Sequence, residues 1–141
     1  MQIYKDQIPD SSKIENKKFI LICEDDPEFL NLLKISLPLL LREISDECDI
    51  ILLSTVELVR ELSENTALVP LVIALFTDLD IPPYANGGDL VVQLLSGIPV
   101  DHRYSISAET SATIQGISPE NNLGKNNKKI VEKIRQVMAQ D

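Results

Sequence analysis

The run Phe19-Ile20-Leu21-Ile22-Cys23 is apolar at every position and stops abruptly at three acids, Glu24-Asp25-Asp26. A strand with one wet face alternates apolar and polar residues. A run without alternation must be covered on both sides, as in the middle of a parallel sheet. Leu71 to Phe76 repeats the pattern and again ends close to acid, at Asp78, and Asp49 to Leu53 is another short strand of the same kind. Parallel neighbours cannot be joined by a tight turn, so the chain between them has to cross over, usually as a helix. Asp26-Pro27-Glu28 reads as a helix start: Asp caps the free N–H groups, Pro suits the first helical position, and Glu favours the positive end of the dipole. Leu30, Leu33 and Leu37 then recur at helical spacing, and Pro38 is expected to kink or end that helix.

Ser54-Thr55-Val56-Glu57 opens a second helix with capping-box spacing, continuing through Leu58, Val59 and Leu62. After a loop containing Pro82, Pro83, Asn86, Gly87 and Gly88, the residues Leu90, Val91, Leu94 and Leu95 form one helical face, with Gly97 as a stop. Arg103 to Ala108 is expected as a fourth strand and Glu109 to Gln115 as a weakly patterned helix. A very short fifth strand is expected around Leu123. Asn127 to Gln140 is a last amphipathic helix with Ile130, Val131, Ile134, Val137 and Met138 inward. Met1 to Lys18 is polar and broken by Pro9 and Ser11-Ser12, which gives a division into an N-terminal arm, residues 1–17, and one domain, residues 18–141. The alternation predicts an α/β fold, a doubly wound five-stranded parallel sheet with helices on both faces. In such sheets the working site lies at the carboxyl ends of the strands.

Composition narrows the function. The chain has 141 residues and a net charge of −9, and residues 19–124 hold 17 acids against 4 basic residues. A body this acidic repels a phosphate backbone, so nucleic acid is excluded as a partner of the main domain. The longest stretch without a charge, Asn65 to Thr77, has 13 residues, short of the roughly 18 that a membrane span needs. No signal-peptide pattern opens the chain, and a cytoplasmic location is expected. Cys23 and Cys48 sit in no metal-ligand spacing and read as small apolar residues of a reducing compartment. His102 is the only histidine, so a Ser-His-Asp triad or a His-rich metal site has almost nothing to be built from.

The carboxyl ends of the first and third predicted strands hold Glu24, Asp25 and Asp26, and Asp78 and Asp80. If these strands are neighbours, several carboxylates converge. Like charges that close are costly unless a cation neutralises them, and an all-oxygen set favours a hard ion such as Mg2+.

The segments Ile20 to Pro27, Asp78-Leu-Asp-Ile-Pro-Pro with Asn86-Gly87 after it, Ser107-Ala108, and Lys125, in that order, resemble the motifs of response regulator receiver domains over about residues 18 to 140. The resemblance implies a flavodoxin-like receiver fold and a phosphoacceptor role in two-component signal transduction. By the same resemblance Asp78 would accept the phosphoryl group, Glu24 and Asp25 would hold Mg2+ together with Asp78, and the backbone carbonyl of Asp80 would be a further ligand. Ser107 would bind the phosphoryl group by its hydroxyl, and Lys125 would pair with it as a cation. The implied phosphodonor is a histidine kinase or histidine phosphotransfer protein, and output would pass to another protein or a second copy of the chain. Such a domain supports its own phosphoryl transfer and dephosphorylation and is no enzyme beyond that. Two positions depart from the family: Asn122 stands where an aromatic switch residue is expected, and Asn126 where proline is usual. The acid pattern also resembles the Toprim fold of metal-dependent phosphodiester enzymes, and a degenerate receiver serving only as a docking module is a third reading.

Overall fold

A computed structural model describes residues 1–14, 16–109 and 113–140. It contains five strands, β1 (Ile3–Lys5), β2 (Lys18–Cys23), β3 (Cys48–Leu53), β4 (Val72–Thr77) and β5 (Arg103–Ser105), and four α-helices. The helices are α1 (Pro27–Leu40), α2 (Val56–Ser63), α3 (Gly87–Leu94) and α4 (Asn127–Gln140). All pairings are parallel and the sheet order is β1-β3-β2-β4-β5. The expected α/β class and five-stranded doubly wound sheet are both present.

Side chains along each strand part to opposite faces. Ile20, Ile22, Ile50, Leu52 and Phe76 pack beneath α1 and α4. Phe19, Leu21, Cys23, Ile51, Leu53 and Leu75 pack beneath α2 and α3. The β2 and β4 ladder slips once, pairing Phe19 with Val72 and Ile20 with Ala74, so Ile73 is the extra residue. The Ile73 carbonyl lies 3.2 Å from His102 Nδ1, so the ring with its proton on Nδ1 donates to an acceptor the bulge takes out of the ladder. The sole histidine thus has a structural partner. Among the described residues no helix is long and apolar enough to cross a membrane.

The sheet's membership differs from expectation at both edges. The segment expected as a loose arm contributes β1, because Ile3 and Tyr4 are half-buried and their backbone completes the edge of β3. Asp49, itself 2% exposed, accepts from the backbone N–H of Gln2 at 2.7 Å and from Lys17 Nζ at 3.1 Å. Tyr4 leans on Phe19 with ring centroids 6.3 Å apart. At the other edge β5 ends at Ser105, and the strand expected around Leu123 is reduced to one bridge, Ser105 to Asn122. The helix expected over Glu109 to Gln115 falls partly outside the described residues, and none of Thr113 to Gln115 is helical.

Helix boundaries follow the caps. Asp26 accepts from Glu28 N at 3.1 Å, with Pro27 as the first helical residue. Pro38 does not end α1, which runs on to Leu40. It sits in the last turn, where the Leu41 N–H still reaches the Leu37 carbonyl at 2.9 Å, so the one missing donor costs little continuity. At α2 the cap is Thr55, whose hydroxyl accepts from Leu58 N at 3.2 Å, one residue later than the capping-box spacing suggested.

Candidate functional site

The sheet register brings the acids together. Cys23 on β2 pairs with Thr77 on β4, and the Asp78 N–H continues the ladder to the Cys23 carbonyl at 3.0 Å. Glu24 and Asp78 therefore leave two adjacent central strands at the same level. Glu24, Asp25 and Asp78 each offer a carboxylate oxygen within 4.8 Å of the others. Glu24 is fully buried, Asp78 partly buried and Asp25 exposed, so the cluster opens outward along Asp25.

Glu24 is held on both sides. Its Oε2 accepts from the N–H groups of Asp25 at 2.9 Å and Asp26 at 3.1 Å, which fixes the turn into α1. Its Oε1 lies 2.6 Å from Lys125 Nζ. Lys125 also reaches Asp78 Oδ2 at 3.5 Å and Asp26 Oδ2 at 3.8 Å, and its ammonium stands 5.5 Å from the centre of the Phe29 ring. Burial pushes the Glu24 carboxyl above its ordinary range, hydrogen bonds from Lys125 and the Asp26 N–H oppose this, and the charge of Asp78 adds to it. Burial works against the Lys125 ammonium, but Glu24, Asp78 and Asp26 outweigh it and hold the group more firmly protonated than usual.

Lys125 reaches the site because the chain before α4 is anchored on β5. The Leu123 N–H donates to the Ser105 carbonyl at 2.8 Å, and Gly124 turns with φ +68°. Asn126, which sequence reasoning took only as a departure from proline, caps α4: its Oδ1 accepts from Lys129 N at 3.1 Å. Asn122 lines a cavity of about 260 Å3 with Ser105, Ile114 and Ile117.

The loop after Asp78 is tightly pinned. Asp78 Oδ1 accepts from Leu79 N at 2.7 Å, Thr77 Oγ1 donates to the Asp78 carbonyl at 2.8 Å, and Gly88 N donates to the Leu79 carbonyl at 2.7 Å. The first turn of α3 lies so close that a Cβ on Gly87 would overlap the Ile81 carbonyl, and one on Gly88 the Asp78 carbonyl. Farther along, Val56 N donates to the Pro82 carbonyl at 2.9 Å and Ile81 is fully buried.

Of the residues expected from sequence, Glu24, Asp25, Asp78 and Lys125 converge. The Asp80 carboxylate is not among the three clustered acids; Asp80 is exposed and lines an open cleft of about 240 Å3 with Asp25, Pro82, Pro83 and Tyr84. Ser107 is buried two residues beyond the end of β5, the neighbour of β4, and its hydroxyl accepts from Glu109 N at 3.4 Å. Sequence reasoning missed Phe29 beneath the lysine and Thr77 behind Asp78; both look like ordinary core residues in sequence.

The donor set fits a hard divalent cation. All three donors are carboxylates, and with Lys125 among them the formal charge of the cluster is two units negative. Neither a scan of family models nor a search of curated proteins returns a match to the chain.

Proposed function

We propose that this chain is a receiver-type phosphoacceptor domain of a two-component phosphorelay, with Asp78 as the acceptor. The observation that carries the reading is the clustering of Glu24, Asp25 and Asp78 within 4.8 Å with Lys125 set against two of them. A carboxylate oxygen of Asp78 attacks the donor's phosphorus, the bond from phosphorus to the donor atom breaks, the leaving group keeps that electron pair, and an acyl phosphate results. Such a transfer asks the protein mainly for positioning and charge neutralisation. Lys125, already at 3.5 Å from Asp78, supplies positive charge beside the transferred group. Ser107 is assigned the hydroxyl that donates to a phosphoryl oxygen. Glu24, Asp25 and Asp78, with the Asp80 carbonyl, are assigned to Mg2+. When bound, Mg2+ would neutralise phosphoryl and carboxylate charge. The donor in the cell is assigned to a histidine kinase or phosphotransfer protein, and the output to protein–protein contact.

The test is intact mass after incubation with a small phosphodonor, with and without Mg2+. A Mg2+-dependent gain of one phosphoryl group that is lost in Asp78→Asn is expected. No adduct, or an adduct unchanged in Asp78→Asn, overturns the assignment. Cleavage of DNA under the same conditions would favour the Toprim-like alternative instead.

A further inference from the structure

Lys125 is a long, flexible cation drawn by three carboxylates at once, and the side it leans to decides whether its charge is available at Asp78. Its ammonium lies 2.6 Å from Glu24, 3.5 Å from Asp78 and 3.8 Å from Asp26. The three acids differ in depth. The Glu24 side chain is fully buried, that of Asp78 is 13% exposed and that of Asp26 is 42% exposed. A lysine keeps more of its rotamer freedom and its hydration toward water, so an unrestrained ammonium drifts to the Asp26 end of this row.

The fourth neighbour is not an acid. The Phe29 ring is buried and its centre stands 5.5 Å from Lys125 Nζ, within the range at which a ring face attracts an ammonium. The attraction grows as water is excluded, and the ring presents no lone pair to lock the ammonium onto one oxygen. Phe29 is itself firmly placed. It is the third residue of α1, in a turn fixed by Glu24 Oε2 through the N–H groups of Asp25 and Asp26 and by the Asp26 cap on Glu28 N. The buried carboxylate that binds the lysine therefore also sets the turn that carries the ring. We propose that Phe29 is a positioning residue for phosphoryl transfer, its ring holding the Lys125 ammonium on the buried side of the site, between Glu24 and Asp78 and away from Asp26. Phe29 acts only through Lys125. The proposal rests on the reading of Asp78 as the phosphoacceptor.

Two measurements on the full chain test it. The first is the NMR shift of the Lys125 ε-methylene protons, which a ring face displaces upfield of the other lysines. That displacement is expected in the wild type and should vanish in Phe29→Leu, which keeps the position apolar and whose fold circular dichroism should verify. The second is the rate of adduct formation, by intact mass, with acetyl phosphate and Mg2+. Phe29→Leu should slow it by about two- to fivefold. Asp26→Asn, which keeps a capping oxygen but not the charge, should recover part of that loss, and should speed the Phe29→Leu chain more than the wild type. A merely structural role for Phe29 gives no such difference between the two chains. An undisplaced Lys125 signal, an unslowed Phe29→Leu variant, or an equal effect of Asp26→Asn in both chains overturns the proposal. Absence of any adduct in the wild type overturns instead the reading of Asp78 on which it rests.

Discussion

Gly88→Ala tests whether the close approach of α3 fixes the loop that carries Asp78. The added methyl would overlap the Asp78 carbonyl and stand 3.0 Å from Leu79 Cα, both backbone atoms with no rotamer to yield. Overpacking of this kind costs about 1–3 kcal/mol. Against it stands about 0.4–1 kcal/mol gained because alanine has less freedom to lose from the unfolded chain. The net is a destabilisation of about 1–2 kcal/mol, or a fall in Tm of about 3–7 °C for a domain of this size. Gly97 supplies the control: nothing lies within 4 Å of a Cβ there, so Gly97→Ala keeps the unfolded-state gain and escapes the clash. Its Tm should rise by about 1–4 °C. Calorimetry of the pair isolates the steric cost. If the two variants melt within a degree of each other, the contact between α3 and Asp78 is not what holds the loop.

Other expectations follow from particular contacts. Lys125→Met leaves Glu24 buried without its cation. Breaking a buried pair costs about 3–5 kcal/mol, and since Lys125 is 22% exposed the expected loss is about 1–3 kcal/mol by urea denaturation. Glu24→Gln in the same chain should recover part of that loss, and no loss in the single variant would refute the pair's role. Asp49→Ala removes the acceptor for Gln2 N and Lys17, and hydrogen exchange at Tyr4 and Asp6, whose N–H groups face β3, should accelerate well before that of β2; equal protection would show that Asp49 does not hold β1. Burial pushes the Cys48 thiol up to about 12 from an ordinary value near 9. Below pH 9 both folded and unfolded thiols keep their proton, and between 9 and about 12 only the unfolded one loses it. Stability should therefore fall with rising pH across that window, by up to about 1.4 kcal/mol per unit, and Cys48→Ala should lessen the slope.

The central sheet was legible because burial on both faces leaves its mark on every residue of Phe19–Cys23 and on nearly every residue of Val72–Thr77. The last helix, Asn127–Gln140, was legible because its apolar stripe has a clear period. Ile3–Lys5 was not, since three residues at the sheet's edge show no period and its partner, Ile50, is distant in sequence. The acids of the site were readable as acids ending strands, and the register between Cys23 and Thr77 is what turns them into a cluster. Phe29 and Asn126 were invisible for opposite reasons: one is a core residue that also faces a cation, and the other is a helix cap on the position where a proline was sought.

The pairing of β1 with β3 has a consequence for the order of assembly. Ile3 leaves the ribosome roughly fifty residues ahead of Ile50, an interval of about 3–10 s at ordinary synthesis rates. Throughout that time β1 has no edge to join, because the strand it needs is not yet made. Even when β3 emerges, β1 gains from it only a three-residue ladder on one side, whereas β2 offers β3 a full six-residue register. The first strand of this chain is thus positioned to lock only after β2 and β3 have found one another, although it is made before either.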